Sequence, residues 1–493
     1  MSTPNYGGQP GPNGQFQGQV PQPGAYNPQY QGQAPQPGAY NPQYQGQAPQ
    51  QGAKKSRGKM AAIISVIVVA VLVVIGGGAF ALTRFLPGAG GFATPNALAN
   101  SVSSAFDSNK LANLAPALAP SELEAATLWQ KDYKANGKAD WTKLMSPEAL
   151  ADYVDQIDIS KSTIEHTVDE KSENLSLITI TKWEGEITVK PELADKFREY
   201  YEKAKGDKLT ADESKMFDDL KRDISEEPNY SGNILQRLFN TDKLTLVSVK
   251  EGGKWYISPV MTMAEQMVSY SSVTPNYGAD FTNVEGAKSP EEAVSGMVDA
   301  LRNGAGMGDK DFYRFLDLPE RRVAAVYGGS GSTGGVGDSI QVNWGLTSTK
   351  VSGGAVVNFG TTSITFDGSY KVEFNNDTVT YSYADSSSSS RYTSPKPQSQ
   401  TVRFTEGLVN PERLGVFAVQ DNTGWHVSFI STVGNLNLLE ATDAAVNEAV
   451  NGMTSSFGSG SSVSTNELRD LATTNKPVGA MLVIVWNFMK SSN

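Results

Sequence analysis

Apolar and polar residues alternate along two segments of similar pattern, 244–262 and 414–432. Each segment reads as two alternating strands around a turn rich in Gly and Asn, which predicts a β-hairpin. Trp255 and Trp425 open the second strand of the two hairpins, and apolar residues follow each of them at a period of two. Both tryptophans are therefore predicted to anchor a hydrophobic core. The matching positions are Leu244 and Leu414, Leu246 and Val416, Val249 and Val419, Ile257 and Val427, Ser258 and Ser428, and Thr262 and Thr432.

A helical pattern precedes each hairpin. Thr94-Pro95 and Ser289-Pro290 place a capping hydroxyl before a first-turn proline, which indicates the start of a helix. Apolar residues then recur at the spacing of one helix face, and a second short helix and a further proline follow in each copy. The pattern predicts that one helix-plus-sheet domain occurs twice. The matching apolar residues are Leu98, Val102, Ala105 and Phe106 in the first copy and Ala293, Met297, Ala300 and Leu301 in the second.

The two copies differ in their middle parts. The first copy, 94–275, contains the charged segment 190–227, whose pattern predicts an inserted pair of helices. The second copy, 287–440, has Gly- and Ser-rich loops at 328–337 and 385–391 between short alternating segments. These segments predict additional strands. The fold class expected from the sequence is therefore α+β, with two tandem domains that each carry a helix and a curved antiparallel sheet.

The segment 441–493 begins like a third copy. Residues 449–453 echo 293–297, and the nine-residue step from Pro477 to Trp486 repeats the step from Pro120 to Trp129. This predicts a C-terminal helical unit that is a truncated third repeat. Its apolar run at 480–486 is too short to span a membrane, so we expect it to pack against the second domain or a neighbouring subunit.

Residues 1–53 carry no charge and consist mainly of Pro, Gln, Gly, Asn, Ala and Tyr. A fourteen-residue repeat, PQPGAYNPQYQGQA, occurs at 21–34 and again at 35–48. Prolines at this density forbid regular helix and sheet, so the segment is predicted to be a disordered cytoplasmic tail. It could be a solvated spacer, or its regularly spaced tyrosines could engage a partner.

The segment 60–82 has no charged residue and would be about 35 Å long as a helix, which is enough to cross a bilayer. The basic segment 54–59 precedes it. This arrangement predicts a single-pass transmembrane helix with the N-terminus in the cytoplasm and the C-terminus outside, followed by a stalk at 83–93. The alternative is a signal peptide cleaved after Ala81. The predicted location is thus a cell membrane, with a large extracytoplasmic portion.

The composition of the chain excludes some kinds of functional site and disfavours some kinds of partner. The chain has no cysteine, which excludes disulfides, thiolate metal sites and a cysteine nucleophile. The absence of cysteine in a large outer portion favours a Gram-positive bacterial surface. The formal net charge is -11, and no Asp or Glu precedes Asp107. An acidic surface repels phosphate backbones, which argues against binding of nucleic acid.

No residue pattern specifies a reaction. The chain has only two histidines, His166 and His426, which lie far apart in the sequence and do not form a metal site. The carboxylates Asp218 and Asp219 lack the spacing of a calcium loop, and the Gly-rich segment 328–337 lacks the Lys-Ser/Thr of a phosphate loop. We therefore predict no catalytic, cofactor-binding or metal-binding residue, no cofactor and no enzymatic activity.

The order of predicted elements resembles a known family. A helix that begins Ser-Pro-Glu-Glu-Ala at 289–293, a second short helix, antiparallel strands and a hairpin with glycine before tryptophan resemble the nuclear-transport-factor-like, or cystatin-like, α+β roll. The resemblance covers 94–440. Actinobacterial membrane proteins with a Pro/Gln-rich tail and one span look similar overall. The resemblance implies a sheet curved around a helix, with a cone that holds a ligand, an active site or only side chains.

These observations lead to three hypotheses about function. The first is a membrane-anchored, non-catalytic binding or scaffold protein of the bacterial cell envelope, whose partner is an envelope protein, a wall component or a small ligand. The second is a transmembrane coupler that links an outer ligand to the tail at 1–53. The third is a hydrolase or isomerase that uses a cone-shaped cavity. A buried carboxylate paired with His or Tyr inside a cone would support the third.

Overall fold

The computed structural model describes the chain from residue 90 onwards, with several gaps. All of the described residues belong to one unit of the chain, Lys55–Asn493. The predicted disordered tail at 1–53, the basic segment at 54–59 and the predicted transmembrane segment at 60–82 lie outside them. Within 90–493, the residues not described are 111–113, 115, 133–139, 269–270, 272, 283, 330–336, 338, 384–397, 458–464 and 492–493.

The first half of the fold combines helices with a five-stranded antiparallel sheet. Thr94 caps the first helix by accepting a hydrogen bond from the backbone N of Ala97 at 3.1 Å, as the Thr-Pro pattern predicts. The helices are α1 (Pro95–Asp107), α2 (Pro120–Thr127) and α3 (Pro147–Val154). The strands are β1 (Ile157–Ser172), β2 (Leu175–Val189), β3 (Asn229–Asn233), β4 (Leu244–Glu251) and β5 (Lys254–Ile257). Their order in the sheet is β1-β2-β4-β5, with β3 paired to β2.

The charged segment between β2 and β3 forms two helices, as its residue pattern predicts. They are α4 (Glu192–Lys205) and α5 (Ala211–Glu226). Thr210 and Glu213 form a capping box at the start of α5, since each side chain accepts a hydrogen bond from the other residue's backbone N. Lys205 also bonds Glu213 at 2.5 Å, and this ion pair joins the end of α4 to the start of α5.

The second half carries two antiparallel sheets. Helix α6 (Pro259–Val268) follows the first hairpin and still belongs to the first half. The helices of the second half are α7 (Pro290–Arg302), α8 (Lys310–Tyr313), α9 (Leu318–Tyr327) and α10 (Phe429–Leu436). Its strands are β6 (Ile340–Asn343), β7 (Thr347–Val351), β8 (Gly354–Asn358), β9 (Ser363–Phe366), β10 (Tyr370–Asn375), β11 (Thr378–Tyr383), β12 (Gln398–Arg403), β13 (Val416–Asp421) and β14 (Gly424–Val427). The sheet orders are β14-β13-β8-β7 and β12-β11-β10-β9-β6.

The two predicted hairpins are present and have the same surroundings. Strands β4 and β5 pair as predicted, and so do β13 and β14. In the first hairpin the side chain of Thr262 accepts a hydrogen bond from the backbone N of Val247 at 2.9 Å. In the second, Thr432 accepts one from Phe417 at 2.8 Å. This repeated detail confirms that the sequence match reflects equivalent local structure.

The two halves pack on each other reciprocally. Helix α6, which follows the first hairpin, lies against α9 of the second half. Helix α10, which follows the second hairpin, lies against α2 of the first half. Because α2 and α9 are equivalent and α6 and α10 are equivalent, the same kind of contact is made twice. The halves are therefore related by an approximate two-fold arrangement.

One hydrophobic core crosses the predicted domain limits. Leu175 and Val249 of the first sheet belong to the same buried cluster as Phe281 and Val427 of the second half. A separate core fills the space between α1 and the other face of the first sheet. The domain boundaries predicted at 94–275 and 287–440 therefore remain predictions, because one buried core contains residues of both ranges.

The C-terminal unit consists of three helices that pack on the second half. They are α11 (Asp443–Phe457), α12 (Thr465–Thr474) and α13 (Lys476–Ser491). The side-chain amide of Asn487 donates hydrogen bonds to the carbonyl oxygens of Phe404 and Glu406, at 3.3 and 2.9 Å. Leu408 and Leu436 of the second half pack against the core of this unit. The predicted packing against the second domain is confirmed.

The prediction of a membrane-anchored chain requires correction. None of the helices that the structure describes is long and apolar enough to cross a bilayer. Helix α13 contains the apolar run at 480–486, but its 16 residues span about 24 Å, short of the roughly 30 Å of a hydrocarbon core. The predictions of a fold with a transmembrane helix and of a location in the cell membrane are therefore not supported.

Candidate functional site

An aromatic cleft lies where helix α13 meets two sheets, the sheet β14-β13-β8-β7 and the sheet β12-β11-β10-β9-β6, which we call the outer sheet. Its volume is about 580 Å³. Four phenylalanines line it, namely Phe359, Phe374, Phe404 and Phe488, together with Ile484. We call it the phenylalanine cleft. Its size lies within the range of ligand pockets in proteins, so it is the first candidate for a binding site.

The four rings come from four separate segments. Phe359 directly follows β8, Phe374 lies on β10, Phe404 directly follows β12, and Phe488 lies in the last part of α13. The rings of Phe359 and Phe374 stack with centroids 4.4 Å apart, and those of Phe404 and Phe488 stack at 6.5 Å. Phe374 meets Phe404 edge-on, also at 6.5 Å. The rings form one continuous aromatic wall.

Backbone contacts fix the position of Phe359 relative to β10. Gly360 has a φ of +53°, and a side chain there would collide with the carbonyl oxygen of Gly345, 2.1 Å from the position of its Cβ. The turn after Phe359 therefore needs glycine. The carbonyl oxygen of Gly360 accepts a hydrogen bond from Asn376 at 2.7 Å, and the N–H of Phe374 donates to Thr362 at 2.8 Å. The wall is thus held in place by the main chain.

The rim of the cleft is polar and acidic. Phe359 is 43% exposed, which leaves much of its ring facing solvent. The charged residues of the lining are Asp377 and Glu412, and the lining contains no Lys or Arg. Asp377 pairs with Arg403 at 3.2 Å. Glu412 is exposed and forms no ion pair with any of the described residues.

The two histidines lie in different halves of the fold and are not brought together. His166, on β1, forms a hydrogen bond through Nδ1 with the hydroxyl of Ser103 at 3.0 Å. His426 is fully buried, and its Nδ1 lies 3.0 Å from a guanidinium nitrogen of Arg321. Its Nε2 lies 3.2 Å from the carboxylate of Asp421. Burial lowers the pKa of His426, and the charge of Arg321 lowers it further.

Two buried glutamates occupy equivalent positions in the two halves. Glu122 of α2 accepts hydrogen bonds from the hydroxyl of Ser258 and from the backbone N of Val260 at the start of α6. Glu320 of α9 accepts one from the backbone N of Ile430 at the start of α10, at 2.8 Å. A carboxylate is favourable at a helix N-terminus, so both glutamates act as caps for the helix after the hairpin.

Burial perturbs both carboxyl groups. It raises the pKa of Glu122 to about 7. It raises the pKa of Glu320 to about 8, with a further contribution from the charge of Asp317. Oε2 of Glu320 is buried and has no hydrogen-bond partner in the described part of the chain, which favours the protonated form. Groups of this kind also occur in active sites. None of these residues lines the phenylalanine cleft, however, and their contacts are those of helix caps.

The raised pKa of Glu320 predicts that the protein loses stability as the pH rises. In an unfolded chain a glutamate titrates near pH 4.3. Between that pH and about 8, the folded state keeps a proton on Glu320 that the unfolded state releases, so the free energy of unfolding falls across this window. We expect it to be about 3 kcal/mol lower at pH 8.5 than at pH 5.5, as measured by denaturant unfolding.

The variant Glu320→Gln should show a weaker pH dependence because the titrating group is gone. Glu124→Gln changes an exposed residue of α2 and serves as the control, since it should leave the pH dependence as in the parent. A protein that is equally stable, or more stable, at the higher pH would contradict the role assigned to Glu320.

Among the described residues, no group of three or more His, Asp or Glu side chains could hold a metal ion. The predictions of no metal, no cofactor and no catalytic residue stay predictions. Comparison with known protein families, with curated proteins and with solved structures finds no match to this chain. The resemblance to the nuclear-transport-factor-like roll and to actinobacterial membrane proteins therefore also stays a prediction.

The sequence patterns indicated neither the cleft nor the capping glutamates. The glutamates had a local signal, because Glu122 and Glu320 each follow a proline in the first turn of a helix. A long stretch of sequence separates each of these helices from the hairpin of the same half. The cleft had none. Its rings come from segments as distant as Phe359 and Phe488, and nothing in their local pattern indicates that they meet.

Proposed function

We propose that this protein is a non-catalytic binding protein and that the phenylalanine cleft is its ligand site. The observation that carries the proposal is the aromatic wall itself, with four rings in contact and one of them, Phe359, 43% exposed. A contiguous aromatic surface that is partly open to solvent is typical of ligand-binding grooves. The hydrogen bonds that join the turn after Phe359 to β10 and to Asn376 support a preformed site.

The gain from covering Phe359 is large enough to matter. An exposed fraction of 43% of a phenylalanine corresponds to roughly 80 Å² of mostly apolar surface. Removing this area from water contributes about 2 kcal/mol, or about a thirtyfold change in affinity. The remaining rings and Ile484 add further apolar area. A ligand with one or two large apolar groups is therefore sufficient for measurable binding.

A hydrolase or isomerase is the competing proposal. It draws on the pair of His426, which is buried, and Asp421, which is exposed; His426 Nε2 and a carboxylate oxygen of Asp421 lie 3.2 Å apart. A reacting substrate would need to reach this pair, yet His426 is fully buried. Both ring nitrogens of His426 lie within hydrogen-bond distance of protein groups, Arg321 on one side and Thr423 and Asp421 on the other. These contacts favour a structural role, and binding is the better supported function.

Binding of an uncharged, apolar dye provides a direct test of the cleft. Nile red should bind the parent protein with a blue-shifted increase in fluorescence. Phe359→Ser should weaken this binding by at least about fivefold, because it removes a ring that is 43% exposed in the cleft. Since Phe359 is half-exposed, the variant should remain folded, which far-ultraviolet circular dichroism and the melting temperature will check.

Val433→Ser is the matched control. Val433 is 65% exposed on α10 and does not line the cleft, so its replacement removes apolar surface elsewhere. It should leave the dye titration unchanged. Equal weakening by both variants, or no change with Phe359→Ser, would show that the cleft is not the dye site and would remove the basis of the proposed function.

A further inference from the structure

We propose that the natural occupant of the cleft is a peptide segment that presents a large apolar side chain next to a lysine or arginine. This inference rests on the proposed binding function and specifies its ligand class. It follows from three properties of the lining, which are its aromatic wall, the sign of its charges and the kind of aromatic residue it contains.

The aromatic wall of the cleft determines which apolar side chain of the peptide can bind. Phe359, Phe374, Phe404 and Phe488 supply ring faces and edges at contact distances of 4.4 to 6.5 Å between centroids. Aromatic side chains favour offset-stacked and edge-on partners, so an aromatic or long aliphatic side chain can extend the existing ring array. A volume of about 580 Å³ accommodates one or two such side chains together with part of a main chain.

The acidic residues at the rim of the cleft favour a positively charged residue in the peptide. Both charged residues of the lining are acidic, and no lysine or arginine lines the cleft. Glu412 is exposed and has no ion pair with a described residue, whereas Asp377 already pairs with Arg403. The chain as a whole carries a net charge of -11. A cation beside the apolar side chain would meet a carboxylate at Glu412, and an anionic ligand would be repelled.

A peptide fits this lining better than a glycan does. The aromatic residues that line the cleft are all phenylalanines, which offer no hydrogen-bonding group, and tryptophan and tyrosine are missing from the lining. Sugars expose hydroxyl groups in every direction, and burying them without partners is costly. A peptide exposes few main-chain groups per side chain, and the side-chain oxygens of Asn376 and Thr405 at the rim can accept hydrogen bonds from amides.

Three end-capped peptides distinguish the contribution of charge to binding from that of the apolar side chains. They are Lys-Phe-Phe-Lys, Gln-Phe-Phe-Gln and Glu-Phe-Phe-Glu, titrated calorimetrically into the full chain at low ionic strength. We expect the lysine peptide to bind most tightly and the glutamate peptide most weakly. Glu412→Gln should weaken the lysine peptide about threefold and leave the glutamine peptide unchanged, since an exposed ion pair contributes little more than this. Raising the salt concentration should reduce the preference.

Two further variants complete the design. Phe359→Ala should weaken the lysine and glutamine peptides alike by about tenfold, because it removes the shared apolar contact. Glu124→Gln removes an exposed carboxylate of α2 outside the cleft and should change neither. The comparison separates a local effect of Glu412 from the general attraction of an acidic protein for cations.

The outcomes separate the inference from the proposed function. If the three peptides bind equally, or if Glu124→Gln acts as strongly as Glu412→Gln, the charge preference is wrong while the binding function stands. If a neutral oligosaccharide binds in a manner sensitive to Phe359 and none of the peptides does, the peptide class is wrong. If neither the peptides nor Nile red bind, both the inference and the proposed function fail.

Discussion

Replacing Trp255 by alanine is expected to lower the free energy of unfolding by about 3–5 kcal/mol. Trp255 is only 5% exposed and belongs to the core of the first half, together with Leu98 and Val102 of α1. Its backbone also exchanges hydrogen bonds with Phe92, at 2.8 and 3.0 Å, which holds the start of the fold against β5. Removing the indole therefore leaves a cavity at a position where the backbone cannot easily collapse.

Trp425 is equivalent in position but only partly buried, so Trp425→Ala should cost about half as much. Denaturant unfolding of both variants measures the difference. Met263→Ala is the control, because this residue is 63% exposed and its loss should change the free energy by less than about 0.5 kcal/mol. If Trp255→Ala unfolds at the same denaturant concentration as the parent, the assignment of Trp255 as a core anchor is wrong.

The second large effect is expected at a buried ion pair between the two halves. Arg322 of α9 is 1% exposed and donates a hydrogen bond to Glu251 of β4 at 2.7 Å. Glu251 also accepts hydrogen bonds from the hydroxyl and the backbone N of Ser121. Arg322→Ala leaves this largely buried carboxylate without its counter-charge, so we expect a loss of about 3 kcal/mol in the free energy of unfolding.

The double variant Arg322→Met with Glu251→Gln tests the cause. It removes both charges and keeps most of the volume, so it should be less damaging than Arg322→Ala alone. The exposed pair of Lys161 and Glu186 serves for comparison, since Lys161→Ala should cost less than about 1 kcal/mol. A loss at Arg322 as small as the loss at Lys161 would show that the pair does not hold the halves together.

Local patterns in the sequence were enough to predict several elements correctly. The hairpin that contains Trp255 follows from strict alternation around two glycines, and the start of α1 follows from a hydroxyl residue before a proline. The insertion at 190–227 was recognisable because its charges have a helical period. Each of these predictions depends on interactions between residues that are close in the chain.

The candidate site could not be predicted in this way. Phe359, Phe404 and Phe488 lie on segments whose own patterns show only that each is partly apolar. Their meeting depends on how the outer sheet and α13 pack, which is a property of the whole fold. The same holds for Arg322, whose partner Glu251 lies in the other half of the molecule. The prediction of a transmembrane helix rested on the uncharged length of 60–82 and on the basic residues before it. These residues lie outside the described part of the chain, and no helix within that part is long and apolar enough to cross a bilayer.

The reciprocal packing of α6 on α9 and of α2 on α10 has a consequence for the origin of the chain. Contacts that occur twice in this way are those of an isologous interface, in which one surface recognises its own copy. An ancestral chain with a single unit would form the same contacts as a symmetric homodimer. Fusion of two such units raises the effective concentration of the partner, so each copy becomes free to diverge. The two copies now differ in their middle parts, since the first carries α4 and α5 and the second carries the sheet that forms a wall of the aromatic cleft.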